Sequence, residues 1–345
     1  MTPKRVLIIR LSAIGDVVFA SPLINACRQT HPDATIDWLC EPVAAPLLSG
    51  HPNLNEIIIW PRADWLRLWR SGRWWSLGKQ ILRFRRRLRA NQYDLVLDVQ
   101  GLLKSSFLAG LTGAAHRVGF RSKEPTGFWL TQRIGKDTGP RISSEYLGMA
   151  EALDWDTSQF ELTVTPSEED CERAAAIADS PFVVLCPFTT RPQKHWTIAH
   201  WRHLVELLLA RGENVCVLGG PADREEADKL LEGFSVHDAV GRYSLGVSAA
   251  LVGHARALIG VDTGLTHMGI AHDVPTVALF GSTCPYLETL RDNVEVIYHA
   301  LECSPCRRNP TCHGAFTCMT GIVAEEVMTS LERVLPNIRI VATDA

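Results

Sequence analysis

Two adjoining stretches near the start of the chain decide the fold: Arg5-Val6-Leu7-Ile8-Ile9-Arg10, and Leu11-Ser12-Ala13-Ile14-Gly15-Asp16 directly after it. The first is short, apolar and β-branched, and reads as a strand. The second holds a turn at Ser12–Gly15, beyond which a helical stretch runs from Asp16 to about Gln29. The same alternation continues outward. Ala34–Leu39, Glu56–Trp60 and Tyr93–Val99 read as strands, Trp74–Ala90 as a basic helix and Leu102–Leu111 as a further helix. Strands alternating with helices predict a parallel sheet covered on both faces.

The second half repeats the scheme. Phe182–Cys186 is a strand. Thr197–Arg211 carries Ile198, Trp201, Leu204, Val205, Leu208 and Leu209 at helical spacing, and Gly212 follows as a stop signal. Asn214–Leu218, Ala257–Val261 and Thr276–Phe280 are further strands. An aperiodic stretch at about Asp154–Ser167, with Pro166 in it, reads as a linker. The expected organisation is α/β, two doubly wound domains facing a cleft, over residues 1–160 and 161–345. Such sheets take ligands at the carboxyl ends of their strands.

Composition agrees with that plan. The 345 residues are 46% apolar and 21% charged, ordinary globular values that argue against a disordered or collagen-like chain. No apolar run approaches the roughly 18 residues of a membrane span. Lys4 and Arg5 precede only a short apolar run, unlike a secretory signal, so the ten scattered cysteines are expected as free thiols in a reducing cytoplasm. The net charge of −3 is uneven. Residues 62–89 hold ten Lys/Arg against one acid, Asp64, a local +9 that leaves −12 elsewhere, and five of the ten tryptophans lie between Trp60 and Trp75. A basic, Trp-rich segment in an acidic protein suggests one anionic partner, on a substrate or at a membrane surface. Its confinement to one helix and loop points away from nucleic acid.

Five constellations carry possible chemistry. Asp16 stands near a helix start, where it either caps the helix or serves as a general base at the mouth of the cleft. The segment lacks both GxGxxG and the phosphate-loop lysine, so it is no ordinary nucleotide loop. Val261-Asp262-Thr263-Gly264-Leu265-Thr266-His267 joins a strand to a helix whose first amides can bind phosphate; the plainer reading is a capped helix with a core histidine. Thr189-Thr190-Arg191-Pro192-Gln193-Lys194 follows another strand, and Lys194 either neutralises a diphosphate or sits on a solvated loop. The basic run Arg83–Arg89 is either a phosphate contact or a solvated helix face. Cys303, Cys306, Cys312 and Cys318 are either a structural zinc site or free thiols, their later spacings forming no second CxxC.

Together RLSAIGD, YDLVLDVQGLLKSS (93–106), TTRPQKHW (189–196), GVDTGLTH (260–267) and the CSPC run resemble the ADP-heptose–lipopolysaccharide heptosyltransferases, over nearly the whole chain. The resemblance implies GT-B architecture and an inverting transfer of heptose from ADP-heptose to a Kdo hydroxyl of the lipopolysaccharide inner core, without metal or other cofactor. DVQGLLKSS is most similar to the type I members, which add the first heptose. It implies Asp16 as general base. It implies Thr189, Thr190, Lys194, Asp262, Thr263, Gly264, Leu265 and His267 as the donor site. An acidic ribose contact is implied just after Gly220, where Arg224 and Glu225 compete and Glu225 has the fitting chemistry. Arg62, Arg67, Arg70, Lys104 and Arg121 would grip acceptor phosphates and carboxylates. A Kdo–lipid A acceptor implies peripheral attachment to the cytoplasmic face of the inner membrane. The rival readings are a GT-B transferase for another sugar or acceptor, and a non-catalytic glycolipid-binding protein.

Overall fold

The computed structural model describes residues 2–335, which divide into two compact units. The first runs to Gly139 and resumes over Ser143–Thr165; the second takes Pro140–Ile142 and everything from Pro166 on.

In the first unit the elements are β1 (Arg5–Ile9), α1 (Ile14–Ala20), α2 (Pro22–Thr30), β2 (Thr35–Cys40), β3 (Glu56–Ile59), α3 (Arg62–Arg70), α4 (Trp74–Ala90), β4 (Leu95–Asp98), α5 (Leu103–Thr112), β5 (His116–Phe120), β6 (Gln132–Ile134) and α6 (Ser144–Glu151). The strands form one parallel sheet in the order β3-β2-β1-β4-β5-β6. Val6 to Ile9 are fully buried, as a central strand covered on both faces requires. The helix expected from Asp16 to Gln29 is two helices instead. Pro22 has no N–H to continue the first one, and it occupies the opening turn of the second, where that N–H is not needed. The core gathers Leu7, Ile9, Leu39, Ile58, Val96 and Leu108 with Trp65 and Leu68 of α3 and Leu77, Phe84 and Leu88 of α4.

The second unit contains α7 (Glu168–Ile177), β7 (Phe182–Cys186), α8 (Ile198–Ala210), β8 (Asn214–Val217), α9 (Arg224–Leu231), β9 (His237–Asp238), α10 (Leu245–Gly253), β10 (Ala257–Val261), α11 (Gly264–Ala271), β11 (Thr276–Phe280), β12 (Val294–Tyr298), α12 (Thr317–Thr320) and α13 (Ala324–Val334). Its sheet is also parallel, in the order β12-β11-β10-β7-β8-β9. Numbered within each unit, both sheets have the same order, 3-2-1-4-5-6. That order winds the chain outward in two directions from the middle, and so opens a crevice beyond the carboxyl ends of two neighbouring strands. Those pairs are β1 with β4, and β7 with β10. Thr197 caps α8 through the His200 amide, and Gly212 takes a positive φ just past that helix, as its sequence signals predict.

Candidate functional site

In each unit the sequence-predicted loops leave the two strands that flank the crevice. In the first, the loop after β1 ends in Asp16 on the third residue of α1, and its carboxylate accepts the Ala13 amide at 3.2 Å. The cap reading is therefore satisfied, and it accounts for only part of the geometry. The same Oδ2 atom pairs with the buried guanidinium of Arg10, whose Nη1 donates to the Val99 carbonyl at 2.9 Å. The loop after β4 is drawn in the same way. Gln100 Oε1 accepts the Leu11 amide at 2.9 Å, and buried Asp98 accepts the amides of Gln100 and Gly101 and, at 2.5 Å, the Ser106 hydroxyl. Burial raises the Asp98 pKa against those hydrogen bonds. DVQGLLKSS thus builds the shelf on which the Asp16 loop rests. Asp16 itself stays 40% exposed.

Glu41, which sequence reasoning missed, gathers two of the expected acceptor residues. Its amide donates to the Leu11 carbonyl at 3.0 Å, and its carboxylate meets Lys104 at 3.3 Å and Arg62 at 3.5 Å. Arg67 turns instead to Asp64 at 2.6 Å. Arg70 is exposed on α3, and Arg121 is exposed directly after β5.

In the second unit Asp262, at the end of β10, is the hub. Its Oδ2 meets Lys194 Nζ at 2.6 Å and the Thr283 hydroxyl; its Oδ1 lies 3.3 Å from His267 Nε2; its carbonyl lies 3.5 Å from Thr189 Oγ1. Burial alone would raise the Asp262 pKa, but His267 and Lys194 outweigh it and hold the carboxyl well below the usual carboxylate range. His267 is buried, as the core-histidine reading requires, and its Nδ1 lies 2.9 Å from the Tyr286 hydroxyl. Thr263 caps α11 through its backbone without a side-chain bond, which leaves the first-turn amides at Gly264 and Leu265 without intrahelical acceptors. A Cβ at Gly260 would collide with Thr266 Oγ1, so that glycine lets α11 seat closely on β10.

Thr189 and Lys194 therefore reach one cluster with Asp262 and His267; Thr190 is exposed on the same loop. Glu225 stands apart, on an exposed face and paired with Lys229 at 2.8 Å. The acid that does reach the Thr189 loop is Glu226: it lies 3.1 Å from His195 Nδ1, whose Nε2 is 2.7 Å from the Thr189 carbonyl. Arg224 is spent on Asp238 and Asp228. Tyr286 and Thr283 lie on a segment that no sequence motif marked, and Glu226 is the neighbour of the acid the sequence favoured.

The zinc reading of Cys303, Cys306, Cys312 and Cys318 is not supported. Among the described residues no group of three or more His, Cys, Asp or Glu is placed to hold a metal ion. Cys318 is turned into the interior beside Gly281, while Cys303 is exposed.

The pattern of glycosyltransferase family 9 (heptosyltransferase) matches residues 81–316. Lipopolysaccharide heptosyltransferase 1 of Pseudomonas aeruginosa is 32% identical over 358 residues, covering 96% of this chain and 98% of that protein. The enzyme of the same name from Salmonella typhimurium is 33% identical over 294 residues, 82% of this chain and 90% of that one. Among solved structures, Escherichia coli heptosyltransferase WaaC with ADP-2-deoxy-2-fluoro heptose superposes with a TM-score of 0.73 at 26% identity, covering 95% of this chain and 99% of that chain. The two doubly wound units agree with the GT-B class of those heptosyltransferases. The chain belongs to glycosyltransferase family 9, the heptosyltransferases, and is a glycosyltransferase.

Proposed function

We propose that this enzyme moves heptose from ADP-heptose to a Kdo hydroxyl of the lipopolysaccharide inner core, inverting the anomeric carbon, as a type I heptosyltransferase. The observation that carries the reading is the cluster at the crevice of the second sheet: Lys194 and Thr189 from one loop meet Asp262 and His267 from the other, beside the open N-terminus of α11. An ammonium, hydroxyls and unpaired amides at a helix start are the chemistry that binds a diphosphate. The relatives named lipopolysaccharide heptosyltransferase 1, and the related structure solved with an ADP-heptose analogue, support the same donor.

In this reading Lys194, Thr189 and Thr190 hold the diphosphate, and Thr263, Gly264 and Leu265 present the helix amides. Asp262 and His267 fix the loop. Glu225 gives up its solvent-exposed contact with Lys229 to accept the ribose hydroxyls. The acceptor hydroxyl attacks the anomeric carbon from the face opposite ADP. The new C–O bond forms as the bond to the β-phosphate oxygen breaks, with its electron pair leaving on ADP. The hydroxyl proton passes to Asp16, which Arg10 holds in one orientation. Charge grows on the departing diphosphate, where Lys194 and the helix N-terminus are already in place to stabilise it, so no divalent ion is required. Arg62, Arg67, Arg70, Lys104 and Arg121 bind the phosphates and carboxylates of a Kdo–lipid A acceptor. The enzyme works peripherally on the cytoplasmic face of the inner membrane.

The test is ADP release from ADP-heptose, with and without Kdo–lipid A, in buffer and in EDTA. Acceptor-dependent release that survives EDTA is expected. ADP binding without release refutes the donor sugar or acceptor, and loss in EDTA restored by a divalent ion refutes the metal-free mechanism.

A further inference from the structure

The α3–α4 hairpin has a rigid base and an unusual tip. At the base, Trp65 packs edge-on against Trp60 (ring centroids 5.9 Å apart) and against Phe84 (5.6 Å), with Leu68, Leu77 and Leu88 buried around them. The turn is held by its own backbone: the Gly72 amide donates to the Trp69 carbonyl at 3.1 Å, and the Arg73 amide to the Leu68 carbonyl at 2.9 Å. Gly72 supplies the positive φ this turn needs. What the turn displays is apolar. Trp69, Trp74 and Trp75 are 58%, 52% and 86% exposed, and Leu66 and Leu82 extend the patch along the two helices. Trp69 and Trp74 meet edge-to-face across the turn, with centroids 4.2 Å apart.

A cluster of exposed tryptophans on an ordered turn is unfavourable in water and needs a covering phase. The cations around it say which. Arg70, Arg73, Lys79, Arg83 and Arg86 are exposed and form no ion pair among the described residues. Tryptophan favours the boundary between headgroups and hydrocarbon, and Lys/Arg stems can lie along apolar surface while their charges reach anionic headgroups. In the edge-to-face pair the edge of one ring covers the face of the other, which leaves less open ring face for stacked bases than for a lipid layer. Among the described residues no helix is long and apolar enough to cross a membrane.

We propose that the Trp69–Trp75 tip is a wedge that inserts into the interfacial layer of an anionic bilayer, with Arg73, Lys79, Arg83 and Arg86 on the headgroups. This deepens the membrane contact of the proposed function, and its test needs no sugar transfer. Flotation is measured with phosphatidylcholine vesicles lacking or containing phosphatidylglycerol, for the wild type and a Trp74→Ser/Trp75→Ser double variant checked for an unchanged melting curve. Quenching of tryptophan emission by brominated lipid reports insertion. Wild-type protein is expected to float with anionic vesicles only, and to be quenched there. The double variant should bind at least about tenfold more weakly, because both rings withdraw from the lipid. It should keep wild-type turnover on a delipidated, water-soluble acceptor. Equal binding to neutral vesicles, equal binding by the double variant, or absence of quenching would overturn the wedge. So would a wild-type dimer in sedimentation that the double variant loses, which would make the patch a self-association surface. Vesicle binding without any ADP release would instead sink the proposed function and leave the wedge standing.

Discussion

Replacing Lys194 with Met keeps a long apolar stem and deletes the ammonium that meets Asp262 at 2.6 Å. The two side chains are only 16% and 12% exposed, so solvent screens the pair little. With an effective dielectric near 20, opposite charges that close attract by about 6 kcal/mol, most of it offset by the desolvation of both groups. Removing one partner of such a pair costs about 3–5 kcal/mol, because the other charge stays buried. Asp262 keeps His267 at 3.3 Å and the Thr283 hydroxyl. The lower end, about 3 kcal/mol, is therefore expected. At about 2–4 °C per kcal/mol for a domain of this size, the second unit should melt roughly 6–12 °C lower. ADP binding should weaken by about 10- to 150-fold, the worth of a charge-assisted hydrogen bond of about 1.5–3 kcal/mol. Scanning calorimetry and titration calorimetry with ADP read the two effects. The double variant Lys194→Met/Asp262→Asn separates them: it leaves no unpaired carboxylate, so it should regain most of the melting temperature and none of the ADP affinity. A single variant that melts with the wild type, or a double variant that binds ADP normally, would refute the reasoning.

Four further outcomes are expected. Asp16→Asn should lower turnover by about 10²–10⁴-fold with ADP affinity intact, and near-normal turnover removes Asp16 as the base. Arg10→Met should lower kcat by about a hundredfold through misplacement of Asp16, with partial recovery in Arg10→Lys; an unchanged kcat would show that the Arg10 pair does not orient the base. Asp262 has a depressed folded pKa, so its stabilisation is complete above the ordinary carboxylate pKa of about 4 and is lost as pH falls further; Asp262→Asn should flatten the acid limb of a pH–stability curve, and an identical limb contradicts this. Burial pushes the thiols of Cys27, Cys40 and Cys216 up to about 12, whereas Cys171 and Cys303 are exposed, so a thiol reagent near pH 8 should label the exposed pair first and the buried set only on unfolding, as peptide mapping would show.

The central strands were legible because burial on both faces leaves almost nothing but Val, Ile and Leu in them, as in Val6–Ile9 and Phe182–Cys186. The edges were not. β6 is three residues with two of them exposed, β9 is only His237–Asp238, and β12 is half-buried, so none carries a hydrophobic run to read. The break at Pro22 carried its signal in plain view, a proline inside a helical pattern. At the site, the loops that follow β1, β7 and β10 stood out because polar residues collect where such strands end. Their partners did not. Glu41, Glu226, Thr283 and Tyr286 acquire their roles only when strand order brings their segments beside Leu11, His195, Asp262 and His267. A single acid or hydroxyl in an aperiodic loop has no local pattern by which to announce that neighbour. Glu225 and Glu226 show the same limit one residue apart: the helix turns the first to solvent and the second toward His195.

The Lys194–Asp262 contact also bears on how fast a ligand can leave. With a carboxylate already resident on the ammonium, an arriving phosphate exchanges one anion for another instead of filling a bare positive charge. The net gain is the difference between two similar contacts, which keeps the affinity for any phosphate below what an isolated lysine in a dry site would reach. The reverse step gains by the same amount. If Lys194 holds the diphosphate as proposed, Asp262 is on hand to take it back as the spent diphosphate loosens, so the cation is never left stranded and the barrier to departure falls. A diphosphate site built this way would trade tight holding for rapid turnover, with the counter-ion stored in the strand end itself.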